Sequence, residues 1–204
     1  MTRIVLVRHG DVEGINPERF RGRTDLPLTA LGRRQAARVA ARVAEGWRPA
    51  AIYTSPMARC IDTGDAIAQA TGLQGRILEG LNDLDYGAWR WKTYDEVRTQ
   101  SPELFSRWFA APHLIRIPQG ESLQDLAARA ADALRFVVEA HAGHTVVLVG
   151  HDSVIRAILL QMLDQPLSAY WRLAQSPCAI SELEIDGARV RVVRINETGH
   201  LEGL

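Results

Sequence analysis

Short aliphatic runs that end at a chemically reactive side chain constrain the fold of this chain most strongly. Ile4 to Val7 is one such run, and Arg8 and His9 follow it directly. Val146 to Val149 is another, and His151 follows it after one glycine. Both runs lack the alternation of a half-buried strand. Such runs are typical of central strands that are covered on both faces of an α/β sheet.

A third junction of the same kind lies between these two. Ala50 to Tyr53 predicts a strand, and Ser55 and Pro56 predict the N-cap and first position of the helix that follows. Arg59 would then lie about one turn into that helix, near the positive end of its dipole. Because ligands bind at the carboxyl ends of strands in such sheets, the two histidines and two arginines are expected to share a pocket.

The whole chain alternates between strand and helix patterns, without repeats or low-complexity linkers. Helical periodicity is clear at 31–43, at 58–70 and along 123–138. Strands are expected near Ile4, Ile52, Ile77 and Val147, and in a hairpin of 180–185 and 190–195 around Asp186-Gly187. These patterns predict one α/β domain over 1–204, a three-layer α/β/α sandwich whose mostly parallel sheet has an antiparallel edge.

The four polar residues at the strand ends suit phosphoryl transfer. A phosphomonoester carries negative charge that repels a nucleophile, so catalysis depends on positioning and charge neutralisation. A neutral histidine can attack phosphorus, and arginine provides a permanent charge with a fork of donors. Each residue alone has a structural explanation, such as a hydrogen-bonded histidine or a solvated helical arginine. Their recurrence at three equivalent positions favours a site.

Several ordered segments resemble the histidine phosphatase superfamily, which contains phosphoglycerate mutases and many phosphomonoesterases. The resemblance covers nearly the whole chain, through Leu6-Val7-Arg8-His9-Gly10, Leu28 to Ala36, Thr54 to Arg59, Leu81 to Trp89 and Gly150 to Arg156. It implies a small helical cap insertion at about 84–120. The cap is rich in aromatic residues that are expected to pack against the body, with Trp89 and Trp108 as candidates for the pocket mouth.

The resemblance also implies roles for individual residues. His9 would form a phosphohistidine, while Arg8, Arg59 and a protonated or donating His151 would hold the phosphate. Asp83 would donate a proton to the leaving group, although this position is more commonly Glu in the family. Asp85 and Asp11 remain alternative proton donors. Further substrate contacts are expected from three loop residues and the residue after His151, namely Asn16, Arg21, Gly22 and Asp152.

Composition narrows the remaining classes of function. The chain has 24 basic and 24 acidic residues among 204, so no basic field favours nucleic acid or a membrane surface. Strand residues begin almost at the N-terminus and no leader is apparent, which predicts a cytoplasmic protein. Cys60 and Cys178 are predicted to be reduced core thiols. No cofactor or metal is expected; the expected partner is a small phosphorylated metabolite, and a homodimer is compatible with the sequence.

Two enzymatic hypotheses and one non-catalytic hypothesis for the function remain open. A phosphatase would pass the phosphoryl group from His9 to water, whereas a mutase would return it to the substrate. Phosphoglycerate mutases of this family are typically longer, which favours the phosphatase, including α-ribazole phosphatase and broad-specificity phosphomonoesterases. The remoter alternative is a phosphate-binding regulatory domain without turnover.

Overall fold

The computed structural model describes residues 1–204 and contains one six-stranded sheet in the order β3-β2-β4-β1-β5-β6. The first four strands of that order are parallel to one another. Strand β5 pairs antiparallel with β1, and β6 pairs antiparallel with β5. The mostly parallel sheet with an antiparallel edge is therefore confirmed. The strands are β1 (Thr2–Arg8), β2 (Ala51–Thr54), β3 (Gly75–Ile77), β4 (Thr145–Gly150), β5 (Ile180–Asp186) and β6 (Arg189–Glu197).

Helices cover both faces of the sheet, as the three-layer prediction requires. They are α1 (Ala30–Gly46), α2 (Ala58–Thr71), α3 (Tyr94–Gln100), α4 (Pro102–Ala110), α5 (Leu123–Ala140) and α6 (Asp152–Met162). Helices α1 and α2 contribute Val39 and Ile67 to a core with Val5 of β1. Helices α5 and α6 contribute to the core on the other face, which contains Ile4. No helix in the structure combines the length and apolar character needed to cross a bilayer.

Strand register brings the two reactive histidines to the same edge of the sheet. Strand β1 pairs with β4 so that Arg8 lies beside Gly150, and each strand is followed immediately by its histidine. The backbone N–H of His9 donates to the Gly150 carbonyl at 3.0 Å. Strand β2 pairs with β4 on the other side, with Thr54 beside Val149. The carboxyl ends of these strands therefore meet, as the sequence predicts.

The segment expected as a cap contains α3 and α4. Its tryptophans do not lie at the pocket mouth, because Trp89 and Trp108 are 2% and 1% exposed. Both belong to the same core as Leu126 of α5, so they pack the segment onto the body. The packing alternative for these aromatic residues is correct.

Two predicted helix starts have different outcomes. The helix predicted over 123–138 begins at Leu123, and Ser122 and Asp125 form a capping box there. In contrast, Met57 is the N-cap of α2, so the prediction of Ser55 as N-cap and Pro56 as first helical residue is wrong. The Ser55 side chain instead reaches His151, which sequence periodicity cannot reveal.

Candidate active site

A cavity of about 180 Å³ opens at the carboxyl ends of β1 and β4. His9, Arg59 and His151 are each 0% exposed and lie outside the set of lining residues. Four arginines contribute to its wall, which concentrates positive charge in a chain of zero net charge. The lining residues are Arg8, Ile15, Glu18, Arg19, Arg21, Gly22, Asp83, Tyr86, Tyr94, Asp152, Arg156, Trp171 and Gln175.

His9 is held in a single tautomer by its own backbone neighbour. Its Nδ1 lies 2.7 Å from the Gly10 carbonyl oxygen, which can only accept a hydrogen bond. Nδ1 therefore carries the proton in the neutral ring, and Nε2 carries the lone pair. Nε2 has no hydrogen-bond partner in the protein. Burial, with the charges of Arg59 and Arg8, lowers the pKa of His9 well below its usual range, which keeps the ring neutral.

Arg8 and Arg59 are buried cations that backbone carbonyls hold in place. Arg8 Nη1 donates to the Gln175 carbonyl at 2.5 Å. Arg59 donates from Nη1 to the Thr24 carbonyl at 2.8 Å and from Nη2 to the Gly22 carbonyl at 2.6 Å. The Nε of each has no partner in the protein. Carbonyl oxygens orient both guanidinium groups without neutralising their charge.

His151 lies edge-on to His9, with ring centroids 5.2 Å apart. Its Nδ1 is 3.2 Å from Arg59 Nη2, and a guanidinium only donates, so Nδ1 is the acceptor. Its Nε2 then donates to Ser55 Oγ at 2.7 Å. Burial, Arg59 and His9 lower the pKa of His151 well below its usual range. The neutral form of His151 therefore fits this environment, and its one N–H is directed at Ser55.

Asp83 is a buried carboxyl at the meeting point of these side chains. Its Oδ2 lies 3.0 Å from Arg59 Nη2 and 3.4 Å from His151 Nδ1. Its Oδ1 accepts hydrogen bonds from Ser153 Oγ at 2.5 Å and from the Leu84 backbone N–H at 2.8 Å. Burial raises the pKa of Asp83 in spite of the Arg59 charge. A raised pKa lets a carboxyl group retain the proton that a general acid needs.

The two alternative proton donors lie outside the cavity lining. Asp11 accepts from Thr29 Oγ1 at 2.7 Å, at the start of α1. Asp85 accepts from the Gly87 N–H at 2.9 Å and from Arg90 Nη2 at 3.2 Å. Burial favours the neutral form of Asp85, but these hydrogen bonds and nearby arginines lower its pKa overall. Both carboxylates have structural partners that account for their presence.

Of the three loop residues expected to contact substrate, two line the cavity and one does not. Arg21 lines the cavity, and its Nη1 donates to the Gly14 carbonyl at 2.6 Å. Gly22 also lines it, with a left-handed φ of 46° and room for no Cβ, which would lie 2.8 Å from the Leu84 carbonyl oxygen. Asn16 is separate, in a neighbouring surface depression that it shares with Glu18 and Tyr94.

Asp152 lines the cavity as expected, and its carboxylate is paired with an arginine that sequence reasoning did not single out. Arg156 Nη1 lies 2.8 Å from Asp152 Oδ2. Burial opposes ionisation of Asp152, but Arg8 and Arg156 hold its pKa below the usual range. Arg156 also stacks over Tyr170 and Trp171 at 5.3 and 5.2 Å and donates from Nε to the Leu173 carbonyl.

Three further residues complete the site. Ser55 contacts His151, Ser153 contacts Asp83, and Gln175 contacts Arg8 through its carbonyl. Ser153 lies two residues after His151, in the segment that resembles the family. Its position in the sequence could therefore have identified it as a candidate site residue. Gln175 is distant from every motif, and only the fold could have identified it.

The fold and the buried cluster of histidines, arginines and a carboxyl group define an enzyme of the phosphatase class. Comparison with known proteins agrees, since the family model for the histidine phosphatase superfamily (branch 1) matches residues 4–198. This chain belongs to that superfamily.

Named relatives cover nearly the full chain. Phosphoserine phosphatase 1 of Hydrogenobacter thermophilus is 30% identical over 201 residues, which is 98% of this chain and 95% of the relative. A Klebsiella pneumoniae protein named "Probable phosphoglycerate mutase GpmB" is 33% identical over 184 residues, 90% of this chain and 85% of the relative. Among solved structures, Bacillus stearothermophilus YhfR has a TM-score of 0.94 at 32% identity and covers 99% of this chain and 100% of its own.

Proposed function

We propose that this chain hydrolyses small phosphomonoesters without a metal, through a phosphohistidine on His9. The observation that carries the proposal is the state of the His9 ring. It is neutral, its Nδ1 proton is held by the Gly10 carbonyl, and its Nε2 lone pair has no partner in the protein. A buried imidazole prepared in this way is an activated nucleophile for phosphorus.

Arg8 and Arg59 stabilise the phosphoryl charge in this mechanism. Burial lowers the pKa of Arg8, with Asp152 opposing that effect, but guanidinium groups in proteins stay protonated. Their carbonyl partners fix the orientation of the donors before substrate arrives, so little reorganisation is needed as charge develops. His151 adds a neutral ring beside His9, held by Ser55.

Asp83 transfers the proton in both halves of the reaction. In the first half, its carboxyl group protonates the alkoxide as the bond from phosphorus to the leaving oxygen breaks and the bond to His9 Nε2 forms. In the second half, the resulting carboxylate takes a proton from the water that attacks the phosphohistidine. Inorganic phosphate leaves, and both His9 and the Asp83 carboxyl return to their starting states.

The cavity favours a small substrate that carries a second anionic group. Its volume of about 180 Å³ is below the ~300 Å³ at which pockets for drug-sized ligands begin. Besides Arg8, the wall contains Arg19, Arg21 and Arg156, of which Arg156 is paired with Asp152, so Arg19 and Arg21 are the arginines that face a second anionic group. A phosphorylated hydroxy or amino acid, such as phosphoserine, fits that size and charge, and the Hydrogenobacter relative carries that substrate in its name. The bulkier α-ribazole 5′-phosphate fits less well.

Phosphoryl transfer of the mutase type is the second candidate, and the GpmB relative is the observation that favours it. Both activities use the same phosphohistidine and differ in the acceptor. A mutase reaction would give isomerised phosphoglycerate without net release of phosphate. A non-catalytic binding domain is the least supported hypothesis, because binding alone does not require a neutral His9 whose Nε2 lone pair has no partner.

The test is release of inorganic phosphate from phosphoserine, 3-phosphoglycerate, α-ribazole 5′-phosphate and 4-nitrophenyl phosphate, in excess chelator. We expect release with His9 intact and none with His9→Ala, together with acid-labile label on the native chain during turnover. His200→Ala is the matched control, since His200 contacts only the Cys178 carbonyl at 3.0 Å and should retain activity. Release that persists in His9→Ala would refute the proposal, and isomerisation without release would support the mutase.

A further inference from the structure

Two charged residues outside the cavity lining contact the backbone that carries Asp83. Arg129 lies on α5, and Glu121 lies just before that helix. Their side-chain contacts include one another and the peptide groups of residues 80–85. Neither residue lines the cavity, and the mechanism above assigns a role to neither.

All the hydrogen bonds that the Arg129 guanidinium donates go to this segment or to Glu121. Nη1 donates to the Gly80 carbonyl at 3.0 Å and to the Asn82 carbonyl at 2.5 Å. Nη2 donates to the Asp83 carbonyl and to Glu121 Oε2, both at 2.9 Å, and Nε donates to Glu121 Oε1 at 3.0 Å. A guanidinium has five N–H donors, and all five have acceptors here.

Glu121 holds the other side of the same segment. Its Oε2 accepts from the Asp85 backbone N–H at 3.0 Å, while its own N–H donates to the Asp85 carbonyl at 2.9 Å. Its Oε1 also accepts from Arg23 Nη2 at 2.9 Å, and Arg23 Nε reaches the Asp83 carbonyl at 3.2 Å. The carbonyl of Asp83 therefore accepts from two guanidinium groups.

Close backbone packing makes this arrangement rigid. A Cβ on Gly120 would lie 2.3 Å from the Asp85 carbonyl oxygen, and a Cβ on Gly87 would lie 2.3 Å from the Pro118 carbonyl oxygen. The turn before α5 and the segment after Asp83 thus touch through their backbones. The backbone on either side of Glu121 is therefore packed directly against the segment that its side chain binds.

The short side chain of Asp83 links these backbone contacts to the position of its carboxyl group. Aspartate has a single methylene group between its backbone and its carboxyl group, so the carboxyl position follows the backbone closely. A glutamate could adjust through an additional torsion. A displacement of about 1 Å in a reacting group can cost on the order of 100-fold in rate.

We propose that Arg129 and Glu121 are positioning residues that fix the backbone of Asp83 so that its carboxyl group reaches the leaving oxygen. The inference rests on the proposed function, because it assigns the pair to the proton-transfer step of that reaction. It separates them from Arg8 and Arg59, which act on the phosphate itself. Loss of the pair should therefore affect proton donation selectively.

The leaving group distinguishes a positioning role from a merely structural one. An alkyl phosphate needs a proton on its poor leaving group, whereas 4-nitrophenolate leaves without one. Arg129→Lys keeps the charge but removes the planar fork. We expect kcat/KM to fall by roughly 10- to 100-fold for an alkyl phosphate, which is part of the ~100- to 10,000-fold that a general acid contributes, and by less than about threefold for 4-nitrophenyl phosphate.

Matched variants complete the experiment. Arg135→Lys on the same helix is the control, because Arg135 pairs only with the exposed Asp132, and it should change neither substrate. Glu121→Gln keeps the side-chain shape and should reproduce the selectivity of Arg129→Lys even if the latter is destabilised. Assays are made at a temperature where circular dichroism shows each variant folded.

Asp83→Asn is the reference that separates the two hypotheses. A large loss on the alkyl phosphate only, in Asp83→Asn and in both pair variants, would support the positioning role. Selective loss in Asp83→Asn with equal loss on both substrates in Arg129→Lys and Glu121→Gln would overturn the positioning role alone. Equal loss on both substrates in Asp83→Asn would overturn the acid assignment, and the inference with it.

Discussion

At the scale of single residues, burial and neighbouring charges separate the pKa values of two carboxyl groups in one cavity. Asp83 and Asp152 both face the same cavity, yet burial raises the pKa of Asp83 while Arg8 and Arg156 hold that of Asp152 low. The proposed mechanism uses this difference, with Asp83 as the proton donor and Asp152 as a carboxylate paired with Arg156. Environment, not residue type, separates their roles.

Ser153 offers a direct test of this tuning. Its hydroxyl donates to Asp83 Oδ1 at 2.5 Å, which favours the ionised carboxylate. In Ser153→Ala that stabilisation is lost, so the pKa of Asp83 should rise further. We expect the alkaline limb of kcat/KM for an alkyl phosphate to move to higher pH, measured by phosphate release across a pH series. A limb that stays in place or moves to lower pH would contradict the assignment of Asp83.

The sequence identified His9, His151, Arg8 and Arg59 because each follows a recognisable strand or begins a helix. It favoured Asp83 over Asp85 and Asp11 only through the family resemblance, since the burial and partners that distinguish the three come from the folded chain. Ser55 shows the same limit. Its position before a proline predicts a helix cap, whereas its hydroxyl actually lies 2.7 Å from His151 Nε2.

At the scale of elements, a close approach between the end of β1 and the start of α1 sets the position of His9. Thr29 caps α1 by accepting from the Gly32 N–H at 3.0 Å and also donates to Asp11 at 2.7 Å. A Cβ on Gly10 would lie 2.5 Å from the Gly32 carbonyl oxygen. The residue after His9 therefore rests directly on the first turn of the helix.

Gly32→Ala tests this contact. A Cβ at that position would lie 2.1 Å from the Asp11 carbonyl oxygen, which belongs to backbone and cannot rotate away. We expect a loss of about 1–3 kcal/mol in the free energy of unfolding, typical of overpacking, and a lower kcat from displacement of His9. Denaturant unfolding measures the first and phosphate release the second. Gly199→Ala, where the new Cβ meets open space, should lose neither stability nor activity.

Most elements could be predicted because their apolar periodicity reflects the two covered faces of one sheet. The predicted helices at 31–43 and 58–70 correspond to α1 and α2 within a few residues. The aromatic segment 84–120 was harder, because it does not alternate between strands and helices. Trp89 and Trp108 pack into the core beside α5, a long-range contact that has no local sequence pattern.

At the scale of the whole molecule, buried neutral histidines link stability to pH. The folded-state pKa values of His9 and His151 lie well below that of an unfolded histidine, about 6.5, because of burial and neighbouring arginines. Below pH 6.5 the unfolded chain binds protons that the folded chain does not. Stability is therefore lost as pH falls, by up to about 1.4 kcal/mol per pH unit for each histidine.

The measurement is the free energy of unfolding between pH 7.5 and 5.5 in phosphate-free buffer. We expect stability to decrease toward pH 5.5 in the native chain and to decrease less steeply in His9→Asn. His144→Asn, which replaces an exposed histidine, should keep the native slope. A His9→Asn chain with the full native slope would show that His9 is not buried in its neutral form.

The pairing of β1 with β4 also determines when the chain becomes an enzyme. His9, the proposed nucleophile, is synthesised before its neighbours His151 and Ser153 and before β4, all of which lie more than a hundred residues later in the chain. A chain that is still being synthesised therefore carries His9 without the strand that aligns it with His151. We expect a chain truncated before β4 to release no phosphate from phosphomonoesters.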